Sequence, residues 1–136
     1  MPPLAPNREA LVARLTSELR PRAEISAAVL HGSFLRGEPY RDIDVALWLD
    51  DRLVAPSERF RYGLDLGVRL QLDLGAPVDV RILNDAPLGF RYHALAGRCL
   101  IARDAELLDE LRARTWDEYF DFQPLARQYL REVLGG

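Results

Sequence analysis

The sequence has no lysine; apart from two histidines, every cationic side chain is an arginine. That excludes chemistry needing a lysine nucleophile and any phosphate loop built on the glycine–lysine pattern of P-loop proteins. There is one cysteine, Cys99, so no internal disulfide can form, and nothing has the ligand spacing of a zinc site. Inside the apolar run 99–102 this thiol reads as a small buried hydrophobe, and its isolation fits a reducing compartment. No apolar run approaches the roughly 18 residues of a bilayer span. The proline-bearing start, Met1 to Asn7, lacks the hydrophobic centre of a signal peptide, so a cytoplasmic protein is expected. A basic stripe is missing too. The net charge is −3, whereas a duplex-binding module carries a basic face, so no direct nucleic-acid binding is expected.

What is present is enough for one domain. At 136 residues, about half of them apolar, residues 1–136 can bury a core without a staple, with 1–7 as a flexible lead-in. Leu11, Val12, Leu15 and Leu19 have helical spacing over Arg8–Leu19, which Pro21 ends. Strands are expected over Glu24–Leu30, Asp42–Leu49, Val78–Leu83 and Gly97–Ala102. A short helical turn is expected at Phe34–Arg36, and helices from Ser57 to about Asp73 and from Pro87 to about Ala96. C-terminal helices follow over 104–136, with Pro124 breaking or kinking them. The class is α+β, a small mixed sheet flanked by helices.

Three features carry chemistry. Asp42-Ile43-Asp44 opens a strand, where residues i and i+2 share a face, so both carboxylates project together. Asp79 interrupts the apolar strand Val78–Leu83, and a carboxylate beside a core needs a metal, a cation or solvent. Carboxylate oxygens suit a hard ion such as Mg²⁺, commonly held together with substrate phosphates. Gly32-Ser33 lies where a strand meets a short turn. Glycine admits a phosphate close to the backbone, and the turn's N–H groups with the serine hydroxyl can receive it. Arg36, about one turn on, can add a charge-assisted contact. A phosphate cradle just before a carboxylate pair, with a third carboxylate on another strand, suits metal-assisted attack on a nucleotide α-phosphate by an acceptor hydroxyl. Asp42 and Asp44 would hold the metal ions, and Asp79 would serve the one that activates the acceptor.

The stretch His31–Glu38 followed by Arg41–Leu47 resembles the signature of the DNA polymerase β-like nucleotidyltransferases: Gly-Ser, a spacer, then Asp-x-Asp. Pro77-Val78-Asp79-Val80 matches the strand of the family's third aspartate. The short chain, the strand Gly97–Asp104 and the ending Tyr119–Leu125 are most similar to the MntA-type minimal nucleotidyltransferases, antitoxins encoded beside HEPN-domain toxins. The resemblance implies a polymerase β-like fold. It also implies an Mg²⁺-dependent transfer of AMP from ATP to a tyrosine of a partner HEPN ribonuclease, which silences that toxin. It places Asp42, Asp44 and Asp79 as metal ligands and catalytic residues, and Gly32, Ser33 and Arg36 at the phosphates. Eight residues, Phe34 to Arg41, separate Ser33 from Asp42, fewer than is usual in the family, and Arg41 stands where a serine is common.

Each residue also has a plainer reading. Asp79 can be a strand-edge carboxylate paired with Arg81, and Arg36 a solvated arginine. His31 reads as a hydrogen-bonded structural histidine, and Asp50 and Asp51 as a solvated turn. Trp116, Tyr119, Phe120 and Phe122 read as packing of the last helix, or as a patch for a protein partner. Two other functions stay open: a non-catalytic antitoxin that works by binding, and a nucleotidyltransferase for a small molecule or an RNA end.

Overall fold

In a computed structural model the chain is described over residues 3–134. Helix α1 spans Pro6–Leu19, β1 Ile25–His31 and β2 Ile43–Leu49. A single 3₁₀ turn at Pro56–Glu58 leads into α2, Arg59–Leu74; then come β3 Val78–Ile82, α3 Leu88–Leu95, β4 Arg98–Ala102 and α4 Ala105–Leu134.

The strands form one mixed sheet in the order β3-β2-β1-β4. β1 is antiparallel to both β2 and β4, and β2 is parallel to β3. A parallel pair needs a crossover, and α2 supplies it. β3 and β4 are the edges.

Alternation along the strands sends side chains to two different cores. Ile43, Val45 and Leu47 of β2 join Leu30 of β1 and Val78 of β3 beneath α1 and α2, with Leu15, Leu19, Leu66 and Leu70 from the helices. On the other face Ala27, Val29 and Ala46 meet Leu95 of α3 and Leu108 and Leu111 of α4. Fully burying each leucine contributes about 1.5–3 kcal/mol, so the first core, which holds most of the fully buried leucines, supplies the larger share of the hydrophobic stabilisation. Gly75 ends α2 in the left-handed conformation, φ +68, where a Cβ would be strained.

Several boundaries differ from those expected. α1 already begins at Pro6, because proline's fixed φ and missing N–H suit the first helical turn; of the expected flexible lead-in, Met1 and Pro2 lie outside the described residues. α4 is one helix and runs through Pro124 rather than breaking there. Its buried residues stop at Thr115, and Pro124 lies on the exposed stretch beyond. A proline there leaves one helical hydrogen bond unmade and crowds the carbonyl four residues back, the ordinary cause of a kink. Gly135 and Gly136 lie outside the described residues. Cys99 is exposed on the edge strand β4, contrary to its expected burial; the register with β1 shifts next to it, and Ile101 is the one buried residue of that strand. No helix among the described residues is long and apolar enough to cross a membrane.

Candidate active site

The candidate residues collect at one end of the sheet, where β1 finishes and β2 and β3 begin. His31 is paired with Asp44 across β1 and β2, and Asp44 with Asp79 across β2 and β3. Residues directly opposite one another share a face. His31, Asp44 and Asp79 therefore form a row across three strands, on the face that α3 and α4 cover elsewhere. Ile43 on β2 points the other way and is buried, anchoring the carboxylate-bearing segment.

Asp42 lies just before β2 rather than within it, and is exposed. It lines, with Ser33, Tyr40, Arg41 and Asp44, an open cavity of about 520 Å³. Asp79 opens instead onto a neighbouring groove of about 490 Å³, along the free edge of β3. Asp44 thus stands between Asp42 and Asp79.

Electrostatics tie the three together. The Asp44 carboxyl is held above its ordinary pKa, first by partial burial and then by the negative charges of Asp79 and Asp42. Arg81 and Arg36 pull in the opposite direction more weakly. Asp79 Oδ2 lies 3.4 Å from Arg81 Nε. The plain reading of that aspartate as an ion-paired strand residue thus describes one contact, without removing Asp79 from Asp44's side. Among the described residues no three His, Cys, Asp or Glu side chains already stand in a metal-ligating cluster. The donor set fits a hard divalent ion all the same: Asp42 and Asp79 both disfavour the charge of Asp44 between them, and all three line cavities that open to solvent.

The cradle is a tight turn rather than a helix. Gly32 sits at φ +83, and the backbone folds back through Arg36 N–H to Gly32 O (3.2 Å) and Glu38 N–H to Ser33 O (3.1 Å). A Cβ on Gly32 would drive into the Asp44 carboxylate, so glycine is required both by its φ and by the approach of Asp44. The expected helical turn at Phe34–Arg36 is present as a single turn, closed by Arg36 N–H to Gly32 O and not continued into a helix. Arg36 is exposed; its Nε donates to Glu38 Oε1 (3.0 Å) and its Nη2 to Ser33 Oγ (3.4 Å). It therefore flanks the serine with part of its charge already engaged.

The sequence reading missed some supports. Arg8 of α1 donates to Phe34 O (2.9 Å) and lies over the rings of Phe34 and Tyr40, pinning the loop from outside. Only a long-range contact carries this, and no local pattern announces it. His31 is not hydrogen-bonded in the way expected: its Nε2 is buried without a partner, and its ring packs edge-on to Phe90 of α3 at 5.5 Å. Burial lowers its pKa and favours the neutral ring. Arg81 lies over the same Phe90 ring; its place two residues from Asp79, on the same strand face, was legible. Asp51 lies in the exposed turn expected of it and also pairs with the buried guanidinium of Arg59, which binds Asp85 at 2.7 Å as well.

The family model described as "Polymerase beta, Nucleotidyltransferase" matches residues 13–106. Among solved structures, a chain of a mutant MntA–HpeT toxin–antitoxin complex has TM-score 0.74 and 18% identity, covering 90% of this chain and 98% of that one. A chain of a toxin–antitoxin structure with AMP-PNP has TM-score 0.73 and 19% identity, with the same coverage. A third match is a chain from the complex of tri-AMPylated Shewanella oneidensis HEPN toxin with MNT antitoxin, at TM-score 0.71 and 18% identity, covering 93% and 98%. At these identities the likeness is one of fold. No curated protein sequence matches the chain.

Proposed function

We propose that this chain, which belongs to the polymerase β nucleotidyltransferase family, transfers AMP from ATP to a tyrosine of a partner HEPN ribonuclease and thereby acts as its antitoxin. The observation that carries the reading is the register of Asp44 with Asp79, next to a cavity that Asp42 and Ser33 line. Two of the similar structures support the partner and the reaction, one through its AMPylated HEPN toxin and the other through its AMP-PNP.

In this reading Gly32 and Ser33 receive the nucleotide's phosphates, with Arg36 beside them. Asp42, Asp44 and Asp79 would hold Mg²⁺, which supplies charge neutralisation and polarises the reacting phosphate. The tyrosine hydroxyl approaches from the Asp79 side. Its oxygen bonds to the α-phosphorus, the α–β phosphoanhydride bond breaks, and pyrophosphate leaves. Asp79 is the nearest carboxylate to take the hydroxyl proton. The turn at Gly32 keeps phosphate and carboxylates close, which is where positioning contributes most to phosphoryl chemistry.

The test is the double variant Asp42→Ala with Asp44→Ala, incubated with the HEPN partner, ATP and Mg²⁺ and read by intact mass. The expected result is a folded protein with no added AMP on the partner; modification at the wild-type rate would overturn the assignment.

A further inference from the structure

The groove beside Asp79 is more apolar than a nucleotide site requires. It runs along the unpaired edge of β3, between Phe60 and Leu64 of α2 on one side and Pro87 and Phe90 on the other. Phe60 is 78% exposed and Leu64 56%. The same helix face continues with Val68 and Leu72, also exposed, so that positions 60, 64, 68 and 72 make one ridge at a spacing of four. Scattered surface hydrophobes need no explanation, but a continuous ridge leading into a groove marks an interaction surface.

Asp79 lines one end of that groove, so the ridge is continuous with the candidate active site. The two arginines lining it are both engaged: Arg59 is paired with Asp51 and Asp85, and Arg81 lies against Asp79. A polynucleotide acceptor would need a row of cations to follow its backbone. An apolar groove with paired cations suits a protein segment that carries hydrophobic side chains next to its acceptor hydroxyl.

We infer that the α2 ridge and the groove along the β3 edge are the docking surface for the protein acceptor, delivering its hydroxyl to Asp79. The inference rests on the proposed transfer reaction and adds the surface that recognises the acceptor. Docking there makes the acceptor's affinity depend on Leu64 and Val68, which lie on α2 away from the Gly32–Ser33 turn.

The experiment uses the full chain, its HEPN ribonuclease partner, ATP and Mg²⁺. Leu64→Arg and Val68→Arg place charges on exposed positions, which keeps the fold, and Leu53→Arg serves as an exposed control outside the groove. Complex formation without nucleotide, KM for the protein acceptor and binding of a non-hydrolysable ATP analogue are measured separately. Each ridge variant is expected to raise the acceptor KM and the complex Kd about ten-fold or more, with analogue binding unchanged and the control at wild-type values. If wild type transfers AMP and both ridge variants match it in KM and Kd, the docking surface is wrong while the transfer reaction stands. If wild type binds the partner without adding AMP, yet the ridge variants lose binding, the transfer reaction is wrong while the surface stands. Transfer to an RNA 3′ end that is indifferent to Leu64→Arg would overturn the inference.

Discussion

The two faces of this sheet are built from the same strands but do opposite work. Beneath α1 and α2, Leu30, Ile43, Val45 and Leu47 are closed from solvent. On the opposite face the cover of α3 and α4 reaches Ala27, Val29 and Ala46, and through Phe90 the ring of His31, then gives way at Asp44 and Asp79. Ile43 and Asp44 are chain neighbours, one at 1% exposure and the other partly open with its carboxyl beside two like charges. Strand alternation lets a rigid core residue fix the position of a charged one that the core could not tolerate. The site lies where the second layer of helices stops.

If that division holds, variants on the two faces must fail in different ways. On the open face, Asp79→Asn keeps the size of the side chain and removes the carboxylate proposed as the base. AMP transfer should fall by about 10²–10⁴-fold, with a melting temperature at or above that of wild type. A loss of stability comparable to the loss of rate would show that Asp79 is a structural residue. On the closed face, Leu47→Ala should cost about 2–5 kcal/mol in denaturant unfolding, the range for a fully buried leucine. Its folded fraction should keep its turnover per molecule. A Leu47 variant that folded normally would break the comparison from the other side.

Gly32→Ala tests the seam between the faces. It strains a residue at φ +83, worth about 1–3 kcal/mol, and pushes a methyl group against Asp44. Both stability and rate should drop, the rate more, since the displaced carboxylate is at the centre of the site. A rate loss no larger than the loss of folded protein would separate Gly32 from the chemistry.

Much of this was legible in the chain because the informative signals are local. Asp42-Ile43-Asp44 and Val78-Asp79-Val80 announce their own alternation, and Gly32-Ser33 announces a backbone that must bend sharply. The expectation that three carboxylates serve one site requires the strand of Asp79 to lie near the pair, and the register sets Asp79 opposite Asp44. What local pattern could not carry was contact at a distance. Arg8 reaching Phe34, Arg59 joining Asp51 to Asp85, and Phe90 closing on His31 all depend on tertiary packing. Cys99 was misjudged because an apolar run looks the same in a central strand and at an edge. Pro124 does not end the helix: past Thr115 the contacts with α3 run through Glu118, Tyr119 and Phe120, and Pro124 lies on the exposed stretch after them.

The smallest effect is the most diagnostic. Asp44 and Asp79 are like charges directly opposite one another on adjacent strands, an arrangement that costs about 0.2–1 kcal/mol. Asp44→Asn should therefore raise the melting temperature slightly at neutral pH in the presence of EDTA. The sign follows from the raised pKa of Asp44: the folded state holds that proton more tightly than the unfolded chain does, so folding loses stability as pH rises through the interval between the two values. Below that interval Asp44 is protonated in both states, and the advantage of asparagine should vanish. Mg²⁺ should reverse the order at neutral pH, because an ion stabilises the state whose carboxylates it binds and asparagine offers it less. Calorimetric scans at neutral and acidic pH, with EDTA and with Mg²⁺, check both signs. An asparagine variant that gained as much from Mg²⁺ as wild type would mean that the ion is held elsewhere.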